Sequence, residues 1–167
     1  MKQINHTELE LMLNLSYKTK KAINVFGTFG IGKSASVKKV GRDIAKEKQK
    51  DFVEWKTLTR DRKIEFIEND ELRRKHFIFI ELRGTMLGDG SDLRGIINLI
   101  KKDAKSYVEW DSPMAIFYMT LPYTDGILFL DERNLAVPVV QSALYSVLYD
   151  RSIGDITFAP DWGVMSA

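Results

Sequence analysis

The sequence predicts an α/β protein with a mostly parallel sheet, and three observations lead there. Strand-like apolar runs alternate with helix-like periodic stretches, the order that generates βαβ units. One run, Ala22-Ile23-Asn24-Val25-Phe26, feeds into Gly27-Thr28-Phe29-Gly30-Ile31-Gly32-Lys33-Ser34 and then a helix-favouring stretch, Ala35 to Lys46. Another, Ile127 to Leu130, is wholly apolar, as a strand covered on both faces must be, and ends in Asp131-Glu132.

Composition bounds the rest. The 167 residues suffice for one domain with a real core. Hydrophobic residues make up 44% and charged residues 29%, the balance of a globular protein. A net charge of +2, despite 25 basic residues, offers no electrostatic footprint for nucleic acid. The chain has no cysteine, which excludes disulfides and thiolate metal sites and fits a cytoplasmic setting. No signal-like core and no apolar run of membrane-spanning length occurs, so no membrane role is expected.

Along the chain, residues 1–21 read as an N-terminal helix and linker ahead of an α/β portion, 22–167. From Thr7 the pattern is helical, with Leu9, Leu11, Met12, Leu13 and Leu15 as the apolar stripe and Thr7 with Glu10 as a capping box. Tyr17 to Lys21 reads as a polar link. After the glycine-rich segment, Val37, Val40 and Ile44 recur at helical spacing. Lys46 to Lys75 mixes charges of both signs and reads as one or two surface helices. His76-Phe77-Ile78-Phe79-Ile80-Glu81-Leu82 is β-branched and aromatic, hence a strand. Gly84 to Gly90 is a loop, and Asp92 to Lys105 reads as a helix. Val108 to Met119 has strand propensity broken at Asp111-Ser112-Pro113, which suggests a hairpin outside the central sheet. Val139 to Tyr149 is a helix with Val140, Ala143, Leu144, Val147 and Leu148 inward, and Trp162 begins another strand.

The glycine-rich segment spells G-x-x-x-x-G-K-[ST], the P-loop. Its glycines let backbone N–H groups of Gly27, Thr28, Phe29, Gly30, Ile31 and Gly32 wrap a phosphate. The following helix offers its positive end. Lys33 would reach the β- and γ-phosphates, and the Ser34 hydroxyl would ligate Mg²⁺. Asp131 emerges at a strand's carboxyl end and suits the outer shell of Mg²⁺. Glu132, next in line, suits a general base orienting water. The expected chemistry is hydrolysis of ATP with Mg²⁺, with Glu132 and Lys33 as the catalytic pair.

From about Ile23 onward, the P-loop, then Ser91-Asp92-Leu93-Arg94-Gly95, then Gly126-Ile127-Leu128-Phe129-Leu130-Asp131-Glu132, followed by Asn134, Pro138, Val140-Gln141, Ala143-Leu144 and Asp150-Arg151, resemble the MoxR-like branch of the AAA+ ATPases. The resemblance implies a three-layer AAA+ fold with a five-stranded sheet and a β-hairpin inserted in the second helix. Val108 to Pro122 would be that insert, with Trp110 and Pro113 at its aromatic and proline positions. It implies assembly into a homo-oligomeric ring, usually a hexamer, and remodelling or maturation of a protein client. Its sensor-1 asparagine would fall just past Ala167, and its arginine finger, fifth strand and helical lid later still. The chain thus reads as a partial AAA+ core without the lid, and the first strand as a bare sheet edge. Arg133 stands where the family has an apolar residue, and Leu135 where arginine is frequent.

Two rival functions share these residues: a nucleotide-gated assembly module with negligible turnover, and a nucleic-acid motor, against which the small charge excess speaks. A small-molecule kinase fits less well, since Asp131-Glu132 suits water activation. His6 and His76 are the only histidines and lie too far apart in sequence to suggest a metal site. Gly88 to Asp92 lacks the acid spacing of a calcium loop and reads as a helix cap. Arg94, Arg133 and Arg151 read as ordinary ion pairs or helix-end charges, with a neighbouring subunit, as the family pattern implies, as the alternative for Arg94, and a phosphate or a neighbouring subunit as the alternative for Arg133. Trp55, Trp110 and Trp162 read as packing residues.

Overall fold

The structure is a computed structural model that describes residues 4–28, 30–89, 91–102 and 105–167. Its centre is a five-stranded, all-parallel sheet. The strands are β1 (Ile23–Asn24), β2 (Asp51–Glu54), β3 (His76–Arg83), β6 (Gly126–Asp131) and β9 (Trp162–Ser166), in the order β1-β9-β6-β3-β2. Two strands of a hairpin, β4 (Ile96–Lys102) and β5 (Lys105–Asp111), and two of a small ribbon, β7 (Ser152–Ile153) and β8 (Ile156–Thr157), stand outside it.

The period-2 pattern of the central strands divides the core in two. Ile78, Ile80, Leu128, Leu130 and Val164 pack on one face, with Phe66 of α3 (Arg60–Glu68), Tyr118 of α6 (Met114–Thr120), and Val140 and Leu144 of α7 (Pro138–Tyr149). Phe77, Phe79, Ile127, Phe129 and Met165 pack on the other, with Leu9 and Leu13 of α1 (His6–Thr19) and Val37, Val40 and Ile44 of α2 (Lys33–Glu47). Three layers follow, because every residue of β3 and β6 that points away from one helix layer points into the other. Each fully buried Phe or Ile contributes roughly 1.5–3 kcal/mol. The architecture is compatible with a Rossmann-like or P-loop α/β fold.

Several expectations need correction. The capping box on α1 is formed by Asn5 with Glu8, not Thr7 with Glu10, so the helix starts at His6. Tyr17 belongs to α1 and is buried. Leu11, Met12 and Leu15 are exposed, and only Leu9 and Leu13 of the leucine stripe are buried. The charged stretch after α2 hides β2, whose Asp51-Phe52-Val53-Glu54 adds a parallel edge strand beside β3. Four residues flanked by charge are too short to register as a periodic run. A 3₁₀ turn that buries Trp55, α3 and α4 (Asp70–Lys75) follow.

The largest correction concerns Asp92 to Lys105. The helix there, α5 (Ser91–Arg94), stops after one turn at Gly95, whose φ is +94° and where a Cβ would lie 1.9 Å from the Asp111 carbonyl oxygen. Beyond it Ile96-Ile97-Asn98-Leu99-Ile100 is strand, its β-branched residues favouring the extended state over helical packing. The hairpin is therefore β4–β5, in antiparallel register from Ile96↔Asp111 to Lys102↔Lys105, and not Val108 to Met119. Met114–Thr120 is the helix α6, with Pro113 at its N-cap. As expected, the hairpin stays out of the central sheet and interrupts the helical crossover from β3 to β6. Trp110 lies in β5, and its side chain falls outside the described set.

Candidate nucleotide-phosphate site

The site forms where the carboxyl ends of β1, β9 and β6 meet the start of α2. β1 ends its ladder at Asn24, with Val25 N–H still donating to Ser166 O at 2.8 Å. The chain then turns through the glycine segment into α2. Gly30 and Gly32 have φ of +80° and +83°. An L side chain in that left-handed region costs roughly 1–2 kcal/mol, so the loop's path needs those residues. Gly32 is itself the N-cap of α2: no side chain caps the helix, and no acidic residue lies in its first turn. Its positive end therefore faces the loop with no acidic residue of its own first turn beside it.

The two sequence motifs come into contact. Ser34 Oγ donates to Asp131 Oδ2 at 2.9 Å, joining residues 97 apart in sequence. Asp131 ends β6, and its Oδ1 accepts the N–H of Glu132 at 3.1 Å. Glu132 sits at φ +53°, ψ +32°, a left-handed conformation uncommon for a non-glycine residue. Such strain persists only where the surroundings hold it and concentrates at functional sites. Thr85 holds the side chain, its Oγ1 donating to Glu132 Oε2 at 2.8 Å. Lys33 Nζ donates to the carbonyls of Gly27 at 2.8 Å and Thr28 at 3.2 Å.

A cavity of about 520 Å³ opens over this arrangement. Gly27, Thr28, Gly30, Ile31, Gly32, Lys33 and Ser34 line it together with Asp131, Glu132, Arg133, Asn134 and Ala167. Every site residue expected from the sequence thus meets in one place, except Phe29, which lies outside the described residues. Ser34 and Asp131 offer two hard oxygen donors side by side, the kind Mg²⁺ takes from protein while keeping most of its shell from water and phosphate. No group of three or more His, Cys, Asp or Glu side chains suited to a metal occurs among the described residues. A magnesium held through one or two protein oxygens does not require one.

Several neighbours carried no readable signal in the sequence. Thr85 approaches Glu132 only because β3 and β6 are adjacent, with Arg83 in register with Asp131. Arg83 Nε donates at 3.1 Å to Glu81, a nearly buried carboxylate that Lys38 and Lys56 also approach at 3.5 and 2.6 Å. Burial pushes the Glu81 carboxyl up, but hydrogen bonds from Lys56 and Arg83 with the nearby ammoniums outweigh it and hold the group below its ordinary value. His6, on α1, places Nδ1 3.4 Å from Ser36 Oγ, near the start of α2.

Of the other singled-out residues, Arg151, Trp55, Trp162, Asp89 and Asp92 have structural roles. Arg151 is no simple helix-end charge: its Nη2 donates to the carbonyls of Ala159, Pro160 and Trp162, fastening the approach to β9. Trp55 and Trp162 are buried, and Trp162 Nε1 donates to Thr124 Oγ1 at 3.0 Å. Asp89 and Asp92 accept backbone N–H groups from Ser91 and from Gly88 and Asp89, the expected helix-start turn. No helix among the described residues is long and apolar enough to cross a membrane.

Comparison with protein-family models, with curated proteins and with solved structures gives no match for this chain, so the site is read on its own geometry.

Proposed function

We propose that this chain binds Mg·ATP through its P-loop and hydrolyses it, as part of a MoxR-like AAA+ ATPase that forms a homo-oligomeric ring, a hexamer by the family pattern, and remodels a protein client. The observation that carries the reading is the 2.9 Å contact between Ser34 and Asp131. It joins a glycine-rich phosphate cradle to a strand-end acid pair across one cavity, and a chance motif match has no reason to do so.

In this reading the loop N–H groups and the start of α2 bind the phosphate chain. Lys33 exchanges its two backbone carbonyls for β- and γ-phosphate oxygens. Ser34 and Asp131 hold Mg²⁺, which when bound neutralises charge developing on the phosphates. Glu132 accepts a proton from the attacking water once it leaves Thr85.

One observation favours a second reading, a nucleotide-gated assembly module. The Thr85–Glu132 hydrogen bond keeps the carboxylate engaged, and a module that binds without turnover needs no more. Calorimetry with Mg·ATP on the parent and on Lys33→Ala tests binding: affinity in the parent and its loss in the variant are expected, and equal affinities refute the P-loop reading. Steady-state phosphate release then separates a hydrolase from a module.

A further inference from the structure

Arg133 is a cation without a counter-ion among the described residues. Its Nε is buried and has no hydrogen-bond partner. No ion pair or side-chain hydrogen bond of Arg133 occurs among the described residues, although the chain carries 23 acidic residues. Its guanidinium carbon lies 5.1 Å from the centre of the Tyr145 ring. That ring belongs to α7 and is stacked on Tyr149 at 6.1 Å. A cation–π platform of this kind orients a guanidinium but leaves its N–H donors unspent. An unmet donor on a charged group is costly, so a site that keeps one carries a reason for it.

Position supplies the reason. Arg133 follows Glu132 directly and lines the same cavity as the P-loop and Asp131. The left-handed turn at Glu132 and the bond from Arg133 N–H to Ala167 O at 3.2 Å fix its backbone at the rim. Lys33, at the start of α2, is the other cation that lines that cavity among the described residues. A polyphosphate lying between them brings several negative oxygens to a wall whose acids, Asp131 and Glu132, would otherwise repel it. A planar guanidinium forks onto a phosphate's oxygens, as an ammonium cannot.

We infer that Arg133 is an anion-binding residue of the site, contacting the terminal phosphate of a bound nucleoside triphosphate and so distinguishing it from the diphosphate. This rests on the P-loop reading above. It places within the chain a second positive charge beside Lys33 for the phosphate chain, at its terminal end.

The test compares two ligands, each with Mg²⁺: ADP and a non-hydrolysable ATP analogue, titrated by calorimetry into the parent, Arg133→Gln and Arg133→Lys. Arg133→Gln should weaken the triphosphate analogue by about tenfold to a hundredfold, the range for a hydrogen bond to a charged group. Its ADP affinity should stay within about twofold, since ADP lacks the phosphate concerned. Arg133→Lys keeps charge and stem but loses the fork, so it should fall between. If Arg133→Gln does not fold, as judged by thermal melting, the lysine variant still decides, because its loss must fall on the triphosphate alone. Equal losses for both ligands, or no loss for either, overturn the inference. So does unchanged nucleotide affinity with weakened self-association, which would place Arg133 against a neighbouring chain. A parent that binds neither nucleotide overturns the P-loop reading and this assignment with it.

Discussion

Changing Asp125 to Asn should loosen the N-terminal helix from the core by an amount the structure lets one estimate. Asp125 lies just before β6, at the end of the sheet opposite the phosphate cavity, with a side chain only 3% exposed. Its carboxylate accepts from Tyr17 Oη on α1 at 2.5 Å and from Lys48 Nζ at 2.7 Å, with Lys50 Nζ 3.0 Å away. One group thus ties together α1, the end of α2 and the entry to β2. Removing one partner of a buried ion pair costs roughly 3–5 kcal/mol. Here the Lys48 and Lys50 side chains are 34% and 19% exposed, so water partly solvates the charges left behind. The amide also keeps an acceptor for Tyr17. We therefore expect a loss of about 2–3 kcal/mol at neutral pH.

The pH dependence makes the argument specific. Burial pushes the Asp125 carboxyl up, but hydrogen bonds from Lys48 and Tyr17 and the charges of Lys50 and Lys48 outweigh it, so its folded pKa lies below the ordinary value of 3.8. A depressed carboxylate contributes its stability above the unfolded pKa and loses it as pH falls through the folded one. The gap between parent and Asp125→Asn, from urea melts, should be full at about pH 7 and shrink below about pH 4. A gap under about 0.5 kcal/mol at neutral pH, or one that acid leaves unchanged, would refute the latch.

Tyr118 is fully buried and its hydroxyl has no partner among the described residues, so Tyr118→Phe should leave stability unchanged or raise it by up to about 1 kcal/mol in thermal or urea melts, and a clear loss would reveal a partner for the hydroxyl. Glu132→Gln should keep Mg·ATP binding and cut phosphate release by roughly a hundredfold or more. Thr85→Val should instead raise phosphate release about two- to tenfold by freeing that carboxylate from one exposed hydrogen bond, and a fall would show that Thr85 positions Glu132 for catalysis. Lys20, whose Nζ donates to Asp161 O at 2.7 Å, has its pKa pushed down from 10.5 to about 8, chiefly by burial and then by Lys48. Its charged form is disfavoured in the fold, so the penalty applies below about 8 and lifts as pH climbs towards 10.5. The stability of the parent relative to Lys20→Met should therefore grow between those values in parallel urea melts, and a decline would contradict the burial of the ammonium.

The sequence by itself determined the alternation of strands and helices, the glycine loop and the acid pair at the end of a buried strand. These are local properties: periodicity along Val37, Val40 and Ile44, the unbroken apolar run Ile127 to Leu130, and the φ freedom at Gly30 and Gly32 are each decided within a few residues. Tertiary structure decided what local reading could not. Ile96 to Ile100 repeats apolar residues closely enough to pass for a helix, and it became a strand because Gly95 turns the chain against Asp111 and a partner strand lies across from it. Asp51 to Glu54 carries too few residues to announce itself, and pairing beside β3 alone makes it a strand. Tyr17 looks like part of a polar link until Asp125, from the far half of the chain, meets its hydroxyl. Around the site, Lys33, Ser34, Asp131 and Glu132 were legible because their chemistry is tied to motif spacing. The hold of Thr85 on Glu132 and the unpaired guanidinium of Arg133 were not, because each depends on which strand or helix lies next to the rim, and strand order is set by long-range packing that no short stretch of sequence encodes.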